Sequence, residues 1–255
     1  MSAKNVISVQ HISKRYGKYV VLDDVNFGVH RGEILVILGA SGCGKSTLMR
    51  IMTGLERASA GRVFIEDEHI AQCNTTRKTG ILFQNNALFG SMTVAENIAL
   101  PIAEYTTLDE RSIRKIVAMK LAMVGLSGFE GHLPSEISGG LKKKAALARA
   151  LALNPAILFL DEPSTGLDPI SSAEIDELIL NINRNAGTTM IVVTHELDSV
   201  FAIADRVIML DQSTRGKIAE GTPQYLKNEC PHPFVRQFFN RQPHKRSAAP
   251  AAMAH

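Results

Sequence analysis

A chain of 255 residues, 45% hydrophobic and 21% charged with a formal net charge of +3, has the material for a large core and lacks the composition of a disordered or fibrous polymer. Its longest aliphatic runs, Ile34–Leu38 and Ile157–Leu160, are strand-sized, well short of the roughly 20 apolar residues that span a bilayer. Cys43, Cys73 and Cys230 stand apart without metal-ligand spacing, which excludes a disulfide framework, and the basic residues are too dispersed for a dedicated nucleic-acid binder.

The start, Met1-Ser-Ala-Lys-Asn, lacks the charged-then-apolar pattern of a signal peptide, so the chain is expected in the cytoplasm. β-Branched runs then alternate with Gly-containing turns: Val6–Ile12, Val20–Val29 after the Tyr16-Gly17 turn, Glu33–Leu38, Arg62–Ile65 and Gly80–Phe83. From Thr93 the pattern turns helical. Thr93-Val-Ala-Glu96 and Thr107-Leu-Asp-Glu110 both fit a capping box, and Ile113, Ile116, Val117, Leu121 and Val124 form one apolar stripe. Residues 93 to about 152 are expected to be a helical insert. Strands and helices alternate beyond it: Ala156–Leu160, a helix over 172–185, Thr188–Val193, a helix over 196–204 and Val207–Leu210, the succession of a parallel α/β sheet. Past Pro231 the chain thins out, and 241–255 is expected to be a disordered tail behind a single domain over 1–240.

Gly39-Ala40-Ser41-Gly42-Cys43-Gly44-Lys45-Ser46 matches G-x-x-x-x-G-K-[ST] between an apolar strand and the helical run from Thr47. Glycines let successive N–H groups turn inward around phosphates, Lys45 supplies a point charge, and the Ser46 hydroxyl suits Mg²⁺. Such a site needs a carboxylate for the metal. Ile157-Leu-Phe-Leu-Asp161-Glu162 offers Asp161 for Mg²⁺ and leaves Glu162 to polarise an attacking water. Taken alone, Asp-Glu-Pro reads better as an ordinary strand end before a turn, and only the P-loop beside it favours the metal site. Gln84 and His195 also follow apolar strands, and the carboxyl ends of parallel strands gather around one ligand crevice.

A second anion-suited feature lies at Ser138-Gly139-Gly140, which opens a basic, alanine-rich helix. On physics alone it reads equally well as a plain N-cap. The ordered set of Gly39 to Thr47, Gln84, Ser138-Gly-Gly, Leu160-Asp-Glu-Pro163, Gly166-Leu-Asp168 and Thr194-His195 resembles the nucleotide-binding subunit of ATP-binding cassette (ABC) transporters over residues 5 to about 228. That resemblance implies an α/β P-loop NTPase cassette with a RecA-like core, an N-terminal antiparallel β subdomain and an α-helical subdomain. It implies ATP and Mg²⁺ as ligands and a head-to-tail dimer in which Ser138, Gly139 and Gly140 of one copy close over the γ-phosphate held by the other. In that scheme Asp168 lies at the dimer seam, His195 contacts the γ-phosphate, Gln84 links the metal to the helical insert, and Tyr16 stacks on adenine, with Tyr19 as the nearby rival.

Phe83-Gln-Asn-Asn-Ala-Leu-Phe89, Glu96-Asn-Ile-Ala-Leu-Pro101, Ser138-Gly-Gly-Leu-Lys-Lys-Lys and Gly166-Leu-Asp-Pro-Ile-Ser-Ser172 resemble, more narrowly, the Mla/Mce-type lipid-transport ATPases. This implies transmembrane permease partners docking around Phe83–Phe89, an Mce-domain lipid-binding partner, and a peripheral place on the cytoplasmic face of the membrane, with no nucleic acid. Cassettes of solute importers and of lipoprotein-release systems are the alternatives, a soluble ABC ATPase acting on DNA or ribosomes a weaker one. Lys142, Lys143, Lys144 and Arg149 read as one exposed, solvated helix face.

Overall fold

β-Branched alternation dominates the start of the chain, and it folds as an antiparallel ladder. In the computed structural model, which describes residues 5–73 and 75–241 with only the backbone at Thr76, β1 (Asn5–Tyr16) pairs with β2 (Tyr19–His30) across the turn at Gly17. The strand β4 (Ala60–Ile65) adds to the other edge of β1 and β5 (Glu68–His69) to that of β4, giving the order β2-β1-β4-β5.

The second sheet has the order β10-β9-β3-β8-β7-β6. Five strands in it are parallel, β3 (Ile34–Leu38), β6 (Thr79–Leu82), β7 (Ile157–Asp161), β8 (Thr189–Val193) and β9 (Arg206–Asp211), and β10 (Gly216–Gly221) runs antiparallel on the edge. β3, β7 and β8 are buried along their whole length, the pattern of strands covered on both faces. The two-residue period sorts β3 cleanly. Leu35 and Ile37 face the antiparallel sheet and α1 (Lys45–Met52), packing with Ile7, Leu22, Leu48 and Phe159. Ile34, Val36 and Leu38 face α6 (Pro169–Ala186), α7 (Leu197–Ile203), α8 (Pro223–Asn228) and α9 (Pro233–Phe239) with Ile175, Ile179 and Val200. Each fully buried side chain of this kind contributes about 1.5–3 kcal/mol. Arg206 rivets the two sheets. Its guanidinium donates to Glu33 Oε1 at 2.6 Å, to the carbonyl of Gly28 at 2.6 Å, and to Glu220.

A third cluster belongs to the insert, where α3 (Val94–Tyr105), α4 (Glu110–Met123) and α5 (Gly139–Ala150) bury Val94, Ile98, Ile102, Val117, Leu121, Ala145 and Ala148 against one another. A short helix, α2 (Thr75–Lys78), leads into β6. The box at Thr93 forms as its sequence predicts: the Thr93 hydroxyl accepts from Glu96 N–H at 3.2 Å while Glu96 accepts from Thr93 N–H at 2.7 Å. Behind it Asn97, fully buried, accepts from Phe89 N–H and donates to the carbonyls of Phe89, Met92 and Thr93.

Three expectations are corrected. Thr107 does not cap α4; Asp109 does, accepting from Ser112 N–H at 2.7 Å, because a carboxylate is the stronger acceptor for free first-turn amides. The helix expected from Ser172 starts at Pro169, capped by Asp168. Beyond Pro231 the chain does not thin out at once: α9 buries Val235 and Phe239. Arg241 is the last described residue, and the rest of the expected tail lies outside the described residues.

Candidate active site

The order of the second sheet sets the carboxyl ends of β3, β8, β7 and β6 side by side, and each is followed by a singled-out residue: Gly39, His195, Glu162 and Gln84. A cavity of about 610 Å³ lies across them, lined by Gly39, Ala40, Ser41, Gly42, Gly44, Lys45, Ser46 and Thr47 together with Gln84, Glu162 and His195. Two glycines make the loop possible. Gly39 has φ +153 and an added Cβ would lie 2.4 Å from the Leu210 carbonyl oxygen; Gly44 has φ +97 and would strike Leu22 at 2.7 Å. Because α1 opens on Gly44 without a capping side chain, its first-turn amides are left to an anion. Lys45, buried, donates from Nζ to the carbonyls of Gly39 at 2.8 Å and Ala40 at 3.1 Å, so its ammonium lies within the loop. Cys43 is buried beneath it, and burial pushes its thiol pKa up, away from the reactive thiolate.

Asp161 closes β7. Burial pushes its carboxyl pKa up, with a hydrogen bond from Ser46 opposing, and the Ser46 Oγ to Asp161 Oδ1 distance is 3.2 Å. A hydroxyl and a desolvated carboxylate in contact are hard oxygen donors, the donor set that Mg²⁺ accepts with few protein ligands. Among the described residues no group of three or more His, Cys, Asp and Glu could hold a metal ion.

Glu162, also buried, is gripped from two sides. Thr165 Oγ1 donates to its Oε2 at 2.7 Å, and His195 Nδ1 lies 2.9 and 3.0 Å from its two oxygens. A carboxylate oxygen accepts here, so Nδ1 is the donor in this pair. These contacts fix the Glu162 rotamer and leave lone pairs for a water.

The remaining residues stand elsewhere. Tyr16 is outside the cavity lining, which holds Val21 instead; its hydroxyl donates to Glu56 and the Lys14 ammonium lies 4.8 Å from its ring centroid. Tyr19 is likewise exposed. Ser138, Gly139 and Asp168 are exposed and Gly140 half-buried. Ser138 caps α5, accepting from Leu141 N–H at 3.4 Å, and Asp168 accepts from the N–H groups of Ile170 and Ser171, both at 3.0 Å. The solvated basic face is corrected: Lys143 is buried, and Arg149, half-buried, donates to the carbonyls of Ala87 at 2.7 Å and Asn86 at 3.0 Å. Their spacing held the signal, since Lys143 stands one turn before buried Leu147. Phe238 of α9, to which the sequence assigned no role, lines the cavity together with His195.

Residues 22–165 match the model of the ABC transporter domain family. The chain is 40% identical over 240 residues to the probable ribonucleotide transport ATP-binding protein mkl of Mycobacterium tuberculosis, covering 92% of this chain and 66% of that one. It thus spans slightly under two thirds of that relative. To the intermembrane phospholipid transport system ATP-binding protein MlaF of Haemophilus influenzae it is 40% identical over 230 residues, covering 88% of this chain and 86% of the relative. Among solved structures, the ATP-binding cassette MJ0796, dimeric in a post-hydrolysis state bound to ADP and Pi, superposes with a TM-score of 0.77 at 30% identity over 85% of this chain and 98% of that one.

Proposed function

Because the chain belongs to the ABC transporter family of ATP-binding cassettes, we propose that it is the ATP-hydrolysing subunit of a lipid transporter, working as a head-to-tail dimer beneath a membrane permease. The observation that carries the hydrolytic reading is the Glu162–His195 pair facing the P-loop across one cavity. The backbone amides of Gly42 to Ser46 and the Lys45 ammonium hold the β- and γ-phosphates of ATP. Mg²⁺, held by Ser46 and Asp161, supplies neutralisation of phosphate charge when bound. Glu162 orients a water in line with the γ-phosphorus and takes its proton at a carboxylate oxygen. His195 Nδ1 keeps Glu162 aimed, and a ring protonated at both nitrogens donates from Nε2 to a γ-phosphate oxygen. Ser138, Gly139 and Gly140 of a second copy close the site from above, and Asp168 lies at the seam between the copies. Tyr16 or Tyr19 supplies a face for adenine, worth about 1–3 kcal/mol where bases stack on aromatics.

Among the described residues no helix is long and apolar enough to cross a membrane, so cargo passage falls to partners. The apolar groove lined by Leu55, Ile81, Phe83, Phe89, Leu100 and Pro101 is the seat for a permease helix, on the cytoplasmic face. Lipid is the favoured cargo because the Mla/Mce-type motifs and the MlaF relative agree on it, and an Mce-domain protein then completes the assembly. A second reading, a solute such as a ribonucleotide, is favoured by the name of the mycobacterial relative. Purifying the chain with its membrane partners separates them: co-purified permease, Mce-domain protein and bound phospholipid support the first, and a periplasmic solute-binding protein in their place replaces it with the second.

A further inference from the structure

Lys143, in the middle of a basic run, is 4% exposed. From α5 its Nζ donates to two backbone carbonyls, that of Gln84 at 2.7 Å and that of Glu162 at 3.1 Å, the residues that follow β6 and β7 at the cavity. Taking an ammonium out of water costs several kcal/mol where it is not compensated. Burial holds the Lys143 pKa below the ordinary lysine range, with the carboxylates of Asp161, Glu162 and Glu196 opposing. A methionine would fill the same space without that cost, so the charge has a use beyond packing.

The backbone of Glu162 supplies that use. Its φ is +51, in the left-handed region that residues with a Cβ enter at a cost of order 1–3 kcal/mol and keep only where their surroundings over-determine it. The Glu162 N–H is fixed by the Val193 carbonyl at 2.8 Å. Its carbonyl accepts from Lys143 at 3.1 Å and from Thr165 N–H at a longer 3.4 Å. Without the ammonium, that carbonyl keeps only the weaker contact. The same Nζ holds the Gln84 carbonyl, so one buried cation joins two of the strand ends that form the site.

We propose that Lys143 is a positioning residue: its ammonium clamps the Glu162 and Gln84 backbones in the arrangement that aims the Glu162 carboxylate at the attacking water. This rests on the reading of Glu162 as the base. It also links the two half-sites mechanically, because Lys143 rides on the helix whose first turn carries Ser138, Gly139 and Gly140.

The test measures steady-state ATP hydrolysis and fluorescent-nucleotide binding on the full chain for Lys143→Met, Lys143→Arg, Glu162→Gln and the Lys143→Met/Glu162→Gln double variant. Lys143→Met is expected to lower kcat about 10- to 100-fold, the scale of an ångström's misplacement of a catalytic group. KM and nucleotide Kd stay within about twofold, as for an interaction felt only in the transition state. Lys143→Arg, which keeps the donor, recovers part of the lost kcat, and the double variant is no slower than Glu162→Gln beyond about twofold. A kcat for Lys143→Met within about twofold of the unsubstituted chain, or a loss shared by KM and Kd, overturns the proposal. If Glu162→Gln alone leaves turnover unchanged, the base reading falls; if Glu162→Gln is slow and Lys143→Met is not, the Lys143 proposal alone falls. Should Lys143→Met not fold, Lys143→Gln, too short to span both carbonyls, is read by the same criteria.

Discussion

Two helix starts suited to phosphate are built to opposite specifications. The one at Lys45 is enclosed: the loop wraps its ammonium, and Asp161, Glu162 and His195 stand around it in the same chain. The one at Ser138 is presented outward, with Ser138 and Gly139 exposed and the serine engaged only as a long N-cap. The difference is what the proposed head-to-tail pair requires: one pocket enclosed by a single copy and a second helix start left outward for a neighbour.

The sharpest way to break that comparison is to cripple each half separately. Ser138→Arg is expected to abolish ATP hydrolysis while one chain still binds nucleotide, and Lys45→Ala to lose both. Mixed in equal amounts, the two inactive variants should recover about a quarter of the unsubstituted turnover, one intact composite site in half of the dimers; no recovery in a phosphate-release assay would sink the head-to-tail arrangement. Next in size is Glu162→Gln, expected to slow hydrolysis about 100- to 10,000-fold with nucleotide affinity kept, as for removal of a general base. Unchanged turnover in the same assay removes Glu162 from the chemistry.

A smaller effect concerns the stability of the fold rather than either helix start. Burial, with the nearby Glu196 charge adding and a hydrogen bond from Ser199 opposing, pushes Asp176 on α6 up to about 6, and its Oδ1 is buried without a partner. The folded chain therefore holds the Asp176 proton more tightly than the unfolded chain does. Stability from this group is greatest below its unfolded pKa and declines as pH rises through about 6. Asp176→Asn is expected to raise Tm at pH 8 by an amount worth roughly 1–3 kcal/mol, with the gain shrinking towards pH 4.5; a pH-independent gain in thermal melts would refute the assignment. Smallest is Thr93→Ala in the helical insert, expected to cost about 1 kcal/mol of stability in denaturant titrations. Nucleotide affinity should be unmoved, and a change would mean the insert and pocket are less separate than their cores suggest.

Much of the molecule was legible in the chain itself, and the exceptions share a cause. The P-loop, the strand before it and Asp161-Glu162 at a strand end could be read because each is a local pattern whose neighbours specify it. The box at Thr93 was legible for the same reason, whereas at Thr107 two caps competed within three residues and acceptor strength decided for Asp109. Lys143 was hidden because three adjacent lysines look solvated, and only helical phase, with Leu147 one turn on, turns the middle one inward. The approach of Phe238 to His195 had no local signal, since residues so distant in sequence meet only through the packing of α9 on α7 and α8. Tyr16 was singled out by its position before Lys45; its contact with Lys14, two residues back on β1, is local, whereas Glu56 reaches it from the segment between α1 and β4, which nothing near Tyr16 encodes.

Asn97 gives the insert a property that helices alone would not. By fastening both polar groups of Phe89 and the carbonyls of Met92 and Thr93 to α3, it removes the slack from the loop that carries the exposed Phe89 ring. A partner that displaces the backbone beneath that ring must therefore either carry α3 with it or break four hydrogen bonds to one buried side chain.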